Sequence, residues 1–265
     1  MDDTDGAGLV VTREGRIATV VLDTGDPACA LSVETLRGLL AVARGFESAH
    51  DLSAVVLTGS PTCFTRGFDL REAARLAGLG LAERRELLAL GARVCAAWAG
   101  IEALTVAAVE GWCVGGGVAL ASALDLRVAG EGARFAVPEV ERGMNLSWGA
   151  VPRLVGLVGA ARTKQLVLLA QSLDLDEALA WGLVQYRAPQ GQALAQAQAL
   201  ARRAAAMPPV ALRMAKAGID ACAQALGPAT SALDRDQFLL AQASEDGAEA
   251  LQAFLERRPP VFRGR

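Results

Sequence analysis

The chain has a single histidine, His50, in 265 residues. That excludes a metal site built on several imidazoles and leaves a serine-histidine-aspartate triad only one possible base. Positive charge is not in surplus either: 26 basic against 29 acidic side chains give a net charge of -3. A surface that tracks phosphates needs a basic excess or stripe, so nucleic acid is not an expected partner. Paired cysteine motifs are missing. Cys29, Cys63, Cys95, Cys113 and Cys222 make an odd count with no CxxC, and the opening MDDTDGAG has neither the basic nor the apolar stretch of a secretion leader. The expectation is a reduced, cytoplasmic protein. Long uninterrupted apolar runs are also absent. The longest apolar stretch, Ile101 to Ala121, contains Glu102, Glu110, Gly111 and the triplet Gly115 to Gly117, so it fails as a membrane span and a membrane is not an expected partner.

What is present is the composition of an ordinary globular protein, 52% apolar and 21% charged. The length favours one large α/β unit with a helical appendage. RIATVVL (Arg16 to Leu22) reads as a strand, Ser32 as the cap of a helix carrying Leu36, Leu39, Leu40, Ala43 and Phe46, and SAVVLT (Ser53 to Thr58) as a buried strand. GSPTCFTRGFDL then reads as irregular. A helix with Leu87, Leu90, Val94 and Trp98 leads into the strand LTVAAV (Leu104 to Val109), a glycine turn and a helix over Val118 to Leu124. Further strand-like pieces are Asp125 to Ala129 and FAVPEV (Phe135 to Val140). From Asp176 onward the pattern is nearly continuous helix, rich in alanine as a compositional bias. An α/β core over residues 1–200 and a helical region over 201–265 are expected.

Two turns stand out. Gly67, within CFTRGFDL, allows a strained backbone that presents the amide of Phe68, although a plain β-turn has the same need for glycine. Gly115-Gly116-Gly117 opens a helix at an entropic cost, which implies close approach to the main chain and unpaired N–H groups suited to an anion. The spacing is neither GxGxxG nor a phosphate loop, since no GK[ST] follows. Two backbone donors at two strand-to-helix junctions can hold an oxyanion developing on a carbonyl.

On these residues the chain resembles the crotonase superfamily, the enoyl-CoA hydratase/isomerase family. CFTRGFDL is similar to its first oxyanion segment, VEGWCVGGGVALA to its second, and FAVPEVERGMNLSWGAVPRLVGLVGAARTKQLVL to the segment of its catalytic glutamate. DLDEALAWGLVQ and FLERRPPVFRGR extend the likeness over nearly the whole chain. The resemblance implies a spiral of repeated ββα units followed by a helical C-terminal trimerisation region, in homotrimers or hexamers. It implies an acyl-CoA thioester as substrate, with coenzyme A entering as part of it and no other cofactor or metal. Phe68 and Gly116 become the amide donors and Glu139 the catalytic carboxylate. Thr65, Arg66, Gly67, Gly115, Ser147 and Trp148 become substrate-binding positions.

The departures matter as much. Hydratases of the family use two glutamates, and the position of the first is Ala119 here. Hydration needs water activated at one carbon and a proton placed on the next, work usually shared by two carboxylates. A single base suffices to move a proton from C2 to C4 of a 3-enoyl thioester. The leading expectation is therefore a Δ3-Δ2 enoyl-CoA isomerase acting through Glu139. The alternatives are an enoyl-CoA hydratase using another acid or a bound water, and a non-catalytic acyl-CoA carrier. The dehalogenase branch, with an aspartate at the position of Ser147, is disfavoured. Glu141 is expected to be solvated, Asp69 to cap a helix, and His50 to sit exposed at a helix end.

Overall fold

The computed structural model describes residues 7–72, 78–225, 227, 231 and 234–264; the opening MDDTDG, Pro228 and Arg265 lie outside them. The chain begins with a hairpin, β1 (Leu9–Glu14) antiparallel to β2 (Ile17–Leu22). The parallel strands β3 (Ala54–Thr58), β5 (Leu104–Val109), β7 (Leu126–Gly130) and β9 (Tyr186–Ala188) follow in a six-stranded sheet ordered β1-β2-β3-β5-β7-β9. A second sheet, β4 (Cys63–Thr65), β6 (Trp112–Val114) and β8 (Arg134–Ala136), is parallel throughout. Successive strands thus alternate between sheets: β3 then β4, β5 then β6, β7 then β8. After each pair the chain runs on into a helix. These are α2 (Leu81–Ala99), α3 (Gly116–Ala123) and, past a short 3-10 turn, α4 (Ala150–Leu168). The architecture is the expected spiral of ββα units.

Local chemistry explains the elements. The Ser32 side chain accepts from the Thr35 amide at 3.0 Å and starts α1 (Val33–Glu47), whose Leu36, Leu39, Ala43 and Phe46 turn inward. All five residues of β3 are buried, as a parallel strand covered on both faces requires. One layer of core lies between the sheets and α1 to α4. The other lies on the outer face of the large sheet, where α6 (Ala193–Ala205) lays Ala193, Ala197, Ala201 and Ala204 over Val56, Val106 and Val128. The alanines that read as bias in the sequence are, in this helix, a seam thin enough for close packing on the sheet. Residue 200 falls inside this helix. The buried Arg127 ties β7 to the end of α3 by donating to the Ala121 and Leu124 carbonyls at 3.1 and 2.8 Å. Burial pulls its pKa down to about 10.

Four local features differ from the sequence reading or were absent from it. Leu9–Glu14 is a strand with a mostly exposed face. Cys63–Thr65 is β4 and not irregular. Tyr186–Ala188 interrupts the helical region as an edge strand beside β7. The segment after Ala136 leaves the extended form and coils into a 3-10 turn over Val140–Arg142. Helix α5 (Leu175–Trp181) precedes β9, and the C-terminal helices α7 (Pro209–Ala223), α8 (Asp234–Ala243) and α9 (Glu245–Glu256) close the chain. Among the described residues no helix is long and apolar enough to cross a membrane.

Candidate active site

The two glycine turns touch each other. Gly67 has φ +85°, and a methyl group there would lie 2.6 Å from the Val114 carbonyl and 3.0 Å from the Gly116 nitrogen. The Leu31 amide donates to the Gly67 carbonyl at 2.9 Å and the Asp69 amide to the Leu31 carbonyl at 3.1 Å. In such a parallel bridge the intervening Phe68 N–H points away from Leu31. Gly116 opens α3, so its N–H has no partner within the helix. Among the described residues neither amide donates to another protein group. Two free donors therefore line one pocket, together with Gly115 and Glu139.

Thr65 and Gly67, expected to bind substrate, do not line that pocket. Thr65 is buried behind it, donating to the Cys29 carbonyl at 2.5 Å and accepting from the Gly67 amide at 3.0 Å. It shapes the turn that aims Phe68. The triple glycine likewise has an internal reason beyond anion binding. A methyl group at Gly115 (φ +53°) would meet the Glu139 carboxyl at 2.3 Å, at Gly116 the Trp148 ring at 2.7 Å, and at Gly117 the Thr65 methyl at 2.7 Å. What approaches the backbone so closely is the protein's own furniture of the site.

Glu139 enters the pocket because β8 ends at Ala136 and the chain turns at Pro138. The Arg142 and Met144 amides both donate to the Glu139 carbonyl, at 3.0 and 2.9 Å, and fix the turn. The Oε2 atom is buried and finds no hydrogen-bond partner. An unsatisfied buried acceptor of this kind points to function. Burial pushes the Glu139 pKa up to about 7, against the opposing pull of its own backbone amide and of Arg142. Such a carboxyl is poised to take and give a proton near neutrality. Glu141, carried outward by the 3-10 turn, is exposed. Glu110 is buried but serves structure, accepting from the Ala193 amide at 2.9 Å to cap α6.

Ala119 is fully buried on the pocket wall. Glu139 is the one carboxylate among the described residues that line the pocket, whose other polar side chains come from Arg66, Arg142, Asn145 and Ser147. Arg66 is exposed, with its guanidinium 5.6 Å from the Trp112 ring centre. Trp148 stands edge-on to Phe68, their ring centres 6.4 Å apart. Asp69 accepts from the Arg71 amide at 2.9 Å, the expected cap. His50 is exposed, away from the pocket lining. Arg258 is committed to Glu249 at 2.6 Å and to Glu256 at 2.6 Å.

Several site residues were not foreseen. Asp234, at the start of α8, accepts from the Gly149 amide at 2.8 Å and from the Asn145 side chain, through its backbone carbonyl, at 3.3 Å. Burial raises its pKa. Phe238, one turn on, lines the pocket. Gly91 of α2 gives room for the Trp148 ring, which a methyl group would meet at 1.9 Å. Each lies more than fifty residues from its partner, and an isolated Asp, Phe or Gly carries no sequence signal of its own.

Spiral and site together define a crotonase-type scaffold, and comparison with known proteins agrees. The family profile for enoyl-CoA hydratase/isomerase matches residues 12–265. A short-chain-enoyl-CoA hydratase of Clostridium acetobutylicum is 31% identical over 94% of this chain and 95% of its own. The 2,3-dehydroadipyl-CoA hydratase of Escherichia coli is 32% identical over 97% and 99%. Among solved structures, an enoyl-CoA hydratase/isomerase of Pseudoalteromonas atlantica superposes with TM-score 0.87 at 25% identity, covering 97% of this chain and 100% of that one. The chain belongs to the enoyl-CoA hydratase/isomerase family.

Proposed function

We propose that the protein acts on an acyl-CoA thioester by moving a proton at the carbon beside the carbonyl, with Glu139 as its acid-base group and the Phe68 and Gly116 amides holding the enolate oxygen. The reaction that the site supports best is Δ3-Δ2 enoyl-CoA isomerisation. The observation that carries it is Glu139 as the one carboxylate among the described residues lining the pocket, with Ala119 where a second would stand. Glu139 takes a proton from C2, and the C–H electron pair becomes the enolate π-bond as charge moves to the thioester oxygen. The protonated Glu139 then delivers the same proton to C4 while the double bond shifts to C2–C3. A positioned base contributes roughly 10²–10⁴-fold, and each oxyanion donor about 10²–10³-fold.

The second reading is hydration of a 2-enoyl-CoA, and the relatives favour it over isomerisation: both curated relatives described above are named hydratases. Glu139 would then both activate the water that adds to C3 and supply the proton to C2, with its pKa of about 7 fitting either protonation state. Spectroscopy with two substrates separates the readings. Isomerisation of a 3-enoyl-CoA makes the conjugated thioester absorbance grow, and hydration of a 2-enoyl-CoA makes it fall. Growth at a rate above that of the fall supports isomerase, the converse supports hydratase, and tight binding without either supports a carrier. Assembly into trimers or hexamers is part of the same proposal. No residue of α7 is buried, and Val210, Met214 and Ile219 stand exposed on more than one side of it, apolar side chains that further copies of the chain would cover.

A further inference from the structure

Behind the pocket lies a second, larger cavity, and one described residue, Trp148, is common to the walls of both. The pocket at Glu139 measures about 70 Å³, the cavity behind it about 580 Å³. At roughly 10–15 Å³ of such volume per water-sized group, the first holds about five to seven groups, a short acyl chain. The second is several times what a short acyl group needs, and the Trp148 indole stands in the wall shared by the two.

The indole is held there deliberately. Trp148 has φ +62°, a left-handed backbone conformation that bulky residues avoid and that persists only where the surroundings over-determine it. The surroundings do so from both sides. Arg153 donates to the Trp148 carbonyl at 3.1 Å, and Asp234 accepts from the next amide, Gly149, at 2.8 Å. The ring itself rests against two glycines, Gly91 and Gly116, where any side chain would collide with it. Beyond the ring, alanines of α2 (Ala92, Ala96, Ala99) and α7 (Ala217, Ala223) line the larger cavity. Its lining also carries charge: Lys216 pairs with Asp125 at 2.5 Å and Arg213 donates to the Leu52 carbonyl at 3.0 Å, the Nε atoms of Arg153 and Arg213 are buried without a partner among the described residues, and Glu102 and Asp220 add carboxylates.

We infer that Trp148 is a partition that sets the length of the acyl group, and that the cavity behind it is space for a longer chain which the partition withholds. This rests on the acyl-CoA reading above. The test is calorimetric binding of saturated straight-chain acyl-CoAs, butanoyl through dodecanoyl, to the wild type, Trp148→Gly and Trp148→Phe. Binding needs no turnover, so it separates chain-length selection from the question of which reaction occurs. Glycine suits the left-handed backbone and removes the wall; phenylalanine keeps most of the packing and shortens it. Wild-type affinity is expected to stop rising after the short acyl groups, whereas in Trp148→Gly it keeps rising about fourfold per added methylene. Trp148→Phe is expected to move the cut-off by one or two methylenes, which carries the test even where the glycine variant folds poorly. Parallel chain-length profiles in wild type and variants, or a wild type whose affinity already climbs through dodecanoyl-CoA, would overturn the partition alone. Failure of all three folded proteins to bind any acyl-CoA would overturn the acyl-CoA reading and the partition with it.

Discussion

Replacing Glu139 by glutamine should make the protein less active and more stable at once. The carboxyl is raised from 4.5 to about 7, chiefly by burial. Between those values the folded chain binds a proton that the unfolded chain has released. Stability therefore falls as pH climbs from about 4.5 to 7 and levels off above. At about 1.4 kcal/mol per pH unit the full cost of ionising Glu139 is about 3 kcal/mol, an upper limit for a site that relaxes. Glutamine carries no charge and so escapes it. Glu139→Gln should then melt higher than wild type at pH 8 by up to about 6–12 °C, taking 2–4 °C per kcal/mol for a chain of this size, and the gap should close at pH 4.5. Activity moves the opposite way, falling by about 10²–10⁴-fold. The paired assay is thermal melting and turnover of both proteins across pH 4.5–8. A melting difference that is the same at both ends, or wild-type turnover in the variant, would refute the reasoning.

Other expectations follow from the same geometry. Wild-type kcat/KM for isomerisation should rise tenfold per pH unit below about pH 7 and flatten above it, because the proposed base is the ionised form of Glu139; a pH-independent rate contradicts that role. Gly67→Ala puts a methyl group 2.6 Å from the Val114 carbonyl, so it should disorganise the Phe68 donor and lower kcat by about 10²–10³-fold, as steady-state kinetics would read. Ala119→Glu restores a second carboxylate to the pocket wall and should raise the ratio of hydration to isomerisation on matched enoyl-CoAs. Met214→Glu with Ile219→Glu should lower the mass seen by light scattering to that of a monomer.

Much of the site was legible because its parts are local. The free Phe68 amide, the Gly116 helix start and the Glu139 turn each sit within a few residues of a strand end, and each needs glycine or proline at a set place. Strands with β-branched runs, such as LTVAAV, were legible for the same reason. Where the sequence misled, tertiary packing decided. Thr65 reads as a pocket residue beside its motif but bonds backward to Cys29. Tyr186–Ala188, three residues long, is a strand only because β7 offers an edge. The alanines of α6 look like bias until the sheet beneath them is seen. Asp234 and Phe238 reach the site across roughly eighty-five residues or more, and no local pattern announces that.

The most direct measurement of the central account is proton NMR of a 3-enoyl-CoA in heavy water with wild type and with Glu139→Gln. The account predicts deuterium at C2 together with conjugated product in the wild type, and neither in the variant. Exchange that persists undiminished in Glu139→Gln, or a wild type that binds the thioester and exchanges no proton, would contradict it.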